Sequence, residues 1–448
     1  MKAGKHIFHV KYLFDGNSRL LKNCHVFIDA GKIVRIIEDA NTSRDNNIFR
    51  DAFSETPVHT ENNGFMMPGL INSHHHTYSA LACGMPITGS LSNFPEILEN
   101  VWWKLDRVLD EEAVHLSAAV TALDCIRHGC TTIIDHHSSP NTISGSLDII
   151  ASVIKKLSMT GVLCFETSDR NDKKVFEKSV EENLMFASSH KNNQTVRGMF
   201  GLHAGFTLCD ESLKNIAKQK PVDLPIHAHV AEDISDLNDA KTKGYDGSLE
   251  RLDTFGLLTP NSLIVHGVHL LEKEYNLIKT RNIKLVHNPQ SNCNNSVGYG
   301  NIDQVPAGTL LLGTDGMNSD MFSSSQFSYL QYQALSSKKQ NAFEIIKSML
   351  FTNPSNFLSD IFGRSIGRIV EGEPADFAIF DYASPTPINS DNLMGHFIYG
   401  LPHSSSAKWV YANGNPIMED GKITAIDEDI ILSSATEKAE AVWKEYNK

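Results

Sequence analysis

The chain has 448 residues, of which 41% are hydrophobic and 21% charged, enough to bury a large core without disulfide or metal staples. Its net charge of -13 opposes phosphate backbones, which excludes nucleic acid as a partner but leaves a free nucleobase open. No apolar run reaches the roughly 18 residues of a membrane span, the N-terminus is too polar for a secretory leader, and the seven cysteines lack a Cys-x-x-Cys pair. A cytoplasmic protein with reduced thiols and no membrane partner is expected.

Taken in chain order, residues 6–39 alternate with the period of strands, and Ala30-Gly31 reads as a hairpin turn. Residues 40–64 are rich in Asn, Asp, Ser and Thr and read as a long loop. Eight apolar segments then follow with amphipathic stretches between them: GFMMPGLINS, CTTIID, TGVLCFET, VRGMFGLHA, PIHAHVA, LIVHGV, IKLVHNP and TLLLGTD. Strands separated by helices predict a parallel sheet, and eight such repeats predict closure into a (β/α)8 barrel of the TIM type. Near the end, PADFAIFDY and AKWVYANGNPIMEDGKIT are short strands broken by Asn413-Gly414 and Asp420-Gly421. Neither chain end carries enough strands to bury a face alone. The expectation is therefore an α/β protein with one small β-sandwich shared between residues 1–66 and 366–448, flanking a barrel over residues 67–365.

The polar residues of the barrel segments fall at their ends. The first closes on His74-His75-His76, the fourth on His203, and the fifth carries His227 and His229 before Glu232. The sixth ends in His266, the seventh in His287 and the eighth in Asp315. In a parallel barrel all strand C-termini open on one face, so these residues converge there. Side chains two apart on a strand share a face. His74 and His76 can therefore meet one metal ion while His75 points away. His229 lies nearer the strand end than His227 and is the better third ligand, and Asp315 adds an oxygen. Three imidazoles and one carboxylate suit one divalent ion, zinc first, with iron or manganese as alternatives. Trp102-Trp103, within NVWWKLDRVLD, are expected to pack a helix rather than stack on substrate.

The motifs PGLINSHHH, HVAED, VHG and LGTDG resemble those of the amidohydrolase superfamily over essentially the whole chain. The longer stretches NFPEILENVWWKLDRVLDEE, IIDHHSSPN, CFETSDRND, SNCNNSVGY, LGTDGMNSDM and DYASPTPINSDNL resemble its mononuclear aminohydrolase, chlorohydrolase-like branch, in particular the group called SsnA. The resemblance implies His74, His76, His229 and Asp315 as ligands, Glu232 as a proton shuttle, His266 as a water-orienting group and Asp315 as general base. It also implies substrate contacts at His203 and, within SNCNNSVGY, at Asn292. Binuclear relatives need a bridging Lys or Glu at the end of the fourth strand, where this chain has His203, so one metal is implied. Related deaminases often carry Arg after the metal pair, where SALACGM places Cys83. The resemblance also implies a homodimer.

The expected activity is hydrolytic deamination of a nitrogen heterocycle, such as a purine- or pyrimidine-like ring, by a water that the metal activates. Hydrolysis of a cyclic amide or of a ring chlorine fits the same residues. A metal-free scaffold is the alternative of a different kind, and the full ligand set argues against it. The His-x-Glu and Pro-Cys-x-x-Cys pattern of the other zinc deaminase fold is absent from the sequence.

Overall fold

The computed structural model describes residues 4–41, 43–401 and 406–448. The N-terminal strands are β1 (His6–Phe14), β2 (Leu20–Asp29), β3 (Lys32–Glu38) and β4 (Val58–Pro68). Ala30 and Gly31 have φ of 49° and 75°, the left-handed pair that a two-residue hairpin needs to match strand twist. Residues 40–64 are not one loop. They hold a short helix, Arg44–Asp51, and the first part of β4, which pairs in parallel with β1. Its first six positions alternate between exposed and half-buried, so polar residues serve both faces and the strand period leaves no hydrophobic trace.

The eight barrel segments all appear. They are β5 (Leu70–His75), β6 (Cys130–His137), β7 (Thr160–Phe165), the pair β8 (Val196–Gly198) and β9 (Phe200–Leu202) interrupted at Met199, β10 (Ile226–Val230), β11 (Leu263–His266), β12 (Lys284–His287) and β13 (Leu310–Leu312). β5 to β8 form one parallel run and β9 to β13 another. Two parallel bridges, Thr167 with Leu202 and His75 with Asp315, join the runs into a closed barrel. Ile71, Ile134, Val162, Val265, Val286 and Leu311 meet in its interior, the branched filling such a barrel requires.

The chain then adds β14 (Phe377–Asp381), β15 (Trp409–Ala412), β16 (Asn415–Glu419) and β17 (Lys422–Ile423). The two chain ends make one mixed eight-stranded sheet, ordered β17-β16-β15-β14-β4-β1-β2-β3. It folds over on itself: the Gly31 turn touches the Gly414 turn, and Phe8, Val26, Phe377 and Tyr411 are enclosed between the halves. The last stretch departs from the expected sandwich. Residues after β17 form a helix, Glu428–Tyr446, whose N-terminus is capped by Asp427. It lies on the helix Glu111–Arg127: Lys438 Nζ donates to Asp110 (2.6 Å) and Glu112 (2.9 Å), and Trp443 Nε1 donates to the Leu81 carbonyl (2.7 Å).

Sheet and barrel meet at Gly69, between β4 and β5. A methyl group there would stand 2.0 Å from Thr131 Oγ1 and 2.4 Å from Asp376 Oδ1, which hydrogen-bond to each other at 2.5 Å across the junction. Gly69→Ala is expected to separate this pair and lower unfolding free energy by about 1–3 kcal/mol. Urea unfolding followed by circular dichroism measures it, and an unchanged midpoint would show that the junction yields freely.

Candidate metal centre and active-site cavity

Closure of the barrel brings Asp315 onto His74. The backbone N–H groups of Thr314 and Asp315 both donate to the His74 carbonyl, at 3.1 and 3.0 Å. Asp315 Oδ1 then stands 3.2 Å from His74 Nε2 and 3.0 Å from His76 Nε2. His76 Nε2 is 3.1 Å from His229 Nε2. One ligand atom from each of His74, His76, His229 and Asp315 falls within 4.8 Å of all the others. Metal–ligand bonds of about 2.0–2.1 Å in a tetrahedron put ligand atoms about 3.3 Å apart. These four residues therefore fit one divalent ion.

The remaining ring nitrogens set the tautomers. His76 Nδ1 donates to the His136 carbonyl (2.6 Å), so that Nε2 is the nitrogen that would turn its lone pair to a bound ion. His74 Nδ1 faces His227 Nε2 at 2.9 Å, and His227 Nδ1 faces Cys164 Sγ at 3.5 Å. Donation along that line would leave the His74 Nε2 lone pair to a bound ion, in place of the contact that this nitrogen makes with Asp315 Oδ1. His227 is thus an orienting group below the centre. His75 points away, its Nε2 3.4 Å from Ser319 Oγ. The loop after His76 is tied by Asp135, which accepts from the Thr77 backbone (2.7 Å) and hydroxyl (3.1 Å).

Burial drives the pKa values of His74 and His229 well below the ordinary imidazole value, so both are neutral. Burial also lowers that of His76, but the hydrogen bond and charge of Asp315 outweigh it and lift the group to about 9. For Asp315, burial is opposed by hydrogen bonds from His74 and His76, which hold it well below the usual carboxylate range. Glu232 behaves oppositely: burial, then the charge of Asp315, push its carboxyl well up. Its Oε1 accepts from Asn295 Nδ2 (3.3 Å), and its Oε2 lies 3.4 Å from His266 Nε2.

The cavity above the centre encloses about 780 Å³ including its mouth. Its floor carries His76, His229, His266, Glu232 and Asp315, and Tyr78, Phe94, Trp102, Trp103 and Met317 supply apolar wall. The two tryptophans pack against Phe94 and Leu98 of their own helical segment, as expected, and also line the cavity. They leave a segment that includes a π turn, Leu98–Trp102, a form frequent at functional sites. His203 reaches the cavity as expected. Its Nδ1 donates to Thr207 Oγ1 at 3.0 Å, and burial keeps it neutral, with a pKa near 4, so its Nε2 is an acceptor. Asn292 does not line the cavity. It is fully buried behind the wall, with its Oδ1 accepting from His266 Nδ1 at 2.7 Å, and the asparagines of SNCNNS at the cavity are Asn294 and Asn295. The helix Pro289–Asn294 rotates successive residues by about 100°, which strand-based reasoning does not resolve. Cys83 is exposed and not part of the wall.

Two further cavity residues, Ser291 in SNCNNSVGY and Glu166 in CFETSDRND, were assigned no role from the sequence. Ser291 Oγ donates to Asp315 Oδ2. Glu166, at the end of the third barrel strand, accepts from Arg170 at 2.9 Å, and Arg170 also grips Asp106. Burial would raise the Glu166 pKa, but His203 and Arg170 bring it down to about 2, so it is an anion. Its place in CFETSDRND, four residues before Arg170, was the available signal.

The amidohydrolase family model matches residues 65–419, and the chain belongs to that family. The 5′-deoxyadenosine deaminase of Methanococcus aeolicus is 28% identical over 399 residues, covering 86% of this chain and 87% of that protein. The enzyme of the same name from Methanocaldococcus jannaschii is 27% identical over 434 residues, covering 94% and 99%. Among solved structures, an adenosine deaminase from Xanthomonas campestris with bound zinc superposes with a TM-score of 0.79 at 19% identity, covering 98% of both chains. The protein is thus a hydrolase of carbon–nitrogen bonds other than peptide bonds, with a site that suits a divalent metal.

Elemental analysis after dialysis is expected to find about one equivalent of divalent metal per chain at this centre. His76→Ala is expected to lose it and His75→Ala to keep it; the reverse result would mean that the histidine register is misassigned. His227→Leu is expected to retain the fold but to weaken metal binding by about 10–100-fold, read by competition with a chelator.

Proposed function

We propose that this enzyme hydrolytically deaminates an amino-substituted nitrogen heterocycle, and that an adenine-type nucleoside without an anionic group is its first candidate substrate. The observation that carries the reading is the convergence of Glu232, His266 and Asp315, whose ligand atoms lie within 4.8 Å of one another, at the floor of an aromatic slot. The relatives named 5′-deoxyadenosine deaminase support the substrate class. So does the wall: among its described residues there is no Lys or Arg, and Arg170 is committed to Glu166 and Asp106. A phosphate or carboxylate on the substrate would find no countercharge, whereas ionised Glu166 can accept from a hydroxyl or amine.

In this reading His74, His76, His229 and Asp315 hold one divalent ion, with zinc favoured by the donor set. When bound there, such an ion would supply Lewis acidity that lowers the pKa of a water toward ~7. Asp315 takes the proton of the attacking water. His266, with its Nδ1 proton directed at Asn292, offers an Nε2 lone pair that aligns that water. Glu232, held protonated, donates to the ring nitrogen next to the carbon under attack. This gives the ring electrons a destination as the amino-bearing carbon becomes tetrahedral. Asp315 then returns its proton to the departing amine, ammonia leaves as the ring carbonyl forms, and the hydroxyl proton so released restores Glu232. Trp102, Trp103 and Phe94 flank the ring and exclude bulk water. As part of the same reading we propose a cytoplasmic homodimer, which rests on the resemblance of the sequence motifs.

An ammonia-release screen of the metal-loaded protein against amino-heterocycles tests the proposal. Adenine-type nucleosides are expected to turn over, and their 5′-phosphates to react at least about tenfold more slowly. Chloride release from a chloro-heterocycle without any ammonia release would overturn it. On the substrate so found, Glu232→Gln is expected to keep its metal and melting temperature and to lose about 10²-fold or more in turnover. A lowered melting point with near-normal turnover would instead make Glu232 a helix-terminus group.

A further inference from the structure

A second group of metal-ligating side chains lies far from the cavity, on the folded sheet. His9 on β1 and His25 on β2 stand directly opposite each other in the antiparallel register. Their rings are 4.5 Å apart between centroids. Asp39, just past the end of β3, reaches back between them. Its Oδ2 is 3.1 Å from His9 Nε2 and its Oδ1 is 3.0 Å from His25 Nδ1. The two contacts differ in kind. The first is a hydrogen bond. In the second, His25 Nδ1 makes no acceptable hydrogen bond despite the short distance, so the nitrogen and the oxygen aim beside each other rather than at each other. One ligand atom from each of the three residues falls within 4.8 Å of the others.

We propose that His9, His25 and Asp39 form a second metal site, for a borderline divalent transition ion such as zinc. The donor set of two imidazoles and one carboxylate selects this class over magnesium or calcium, which prefer all-oxygen shells. The histidines are about a quarter exposed and Asp39 nearly half, so water can complete the shell. The backbone supports the arrangement: Asp39 N–H donates to the Asn23 carbonyl at 2.8 Å, which fixes the carboxylate's base beside β2. The guanidinium of Arg50 also acts on His25 and reduces its attraction for a cation, so binding is expected to be weaker than at the catalytic centre. An ion here would tie together β1, β2 and the end of β3, the three strands at one edge of the sheet, where a strand has no neighbour to hold it. The role inferred is a structural clasp, independent of the reaction in the barrel.

The test uses the full chain with its catalytic metal in place, freed of loosely held ions and titrated with Zn²⁺ by calorimetry. One further equivalent is expected. His25→Gln is expected to weaken that step by at least about tenfold, and the double substitution His9→Gln, His25→Gln to abolish it. Asp39→Asn, which keeps size and polarity, is expected to weaken it without altering the metal-free fold. Zn²⁺ is expected to raise the melting temperature of the wild type but not of the double variant, while catalytic metal content stays equal in both. Cu²⁺ used as a spectroscopic probe should show nitrogen coupling from two imidazoles in the wild type alone. A second equivalent that survives in the double variant, or its absence from the wild type at millimolar Zn²⁺, overturns the proposal.

Discussion

The hydrogen bonds from Thr314 and Asp315 N–H to the His74 carbonyl do two things at once. They join the last barrel segment to the first, and they set the Asp315 carboxylate against the imidazoles of His74 and His76. The bridge between His75 and Asp315 is the seam of the barrel. A cylinder that failed to close would leave Asp315 without its histidines, and four buried polar side chains would be unmatched. Because unpaired buried polar groups are costly, a closed barrel with an assembled site is favoured over a compact but open one. In this molecule barrel closure and site assembly share the same contact.

That coupling is bought with local strain. Ala231, His266 and Asp315 occupy left-handed backbone at φ of 52°, 71° and 57°, each at or just past the end of a barrel strand. A side chain other than glycine pays on the order of 1–3 kcal/mol in such a place. The turn is what lifts each functional group off its strand direction. At His266 it lets Nδ1 reach Asn292 while Nε2 faces Glu232. Beyond Ala231 it sends Glu232 over the cavity instead of along the helix that follows. The strain is sustained by the apolar filling of the barrel, where Val265, Val286 and Leu311 are fully buried.

Much of this was legible in the sequence because the barrel strands are short, apolar and tipped with histidine. Period-two alternation separated His75 from its neighbours, and barrel order carried the site's shape. The parts that were not legible have physical reasons. Residues 58–64 form a strand whose pairing with β1 and β14 supplies what its side chains do not advertise. The helix Glu428–Tyr446 was overlooked because its anchors, Trp443 and Lys438, find partners on residues more than 300 positions away. The Trp102-Trp103 pair looks like core filling because aromatic area is the same whether a helix or a substrate covers it. Asn292 and Asn295 differ in role only through helical rotation, which a loop reading cannot supply.

The charge arrangement of the cavity has its own logic. Glu166, Glu232 and Asp315 are three carboxyl groups brought into one slot, and repulsion would disperse them if all were ionised without partners. Each is handled differently. Asp315 is held ionised by its hydrogen bonds with His74 and His76, Glu166 lies against the permanent charge of Arg170, and burial together with the charge of Asp315 pushes the Glu232 carboxyl well up. Burial thus favours the protonated form of Glu232, and the neighbouring charge of Asp315 adds to it. The Asp106–Arg170–Glu166 chain behind the wall, with Arg170 itself almost fully buried, fixes Glu166 as the permanent anion. The acid over the metal centre and the anion at the far wall are thus chemically distinct ends of a single aromatic slot. A flat ring that donates at one edge and accepts a proton at the other is the shape and polarity that such a slot selects.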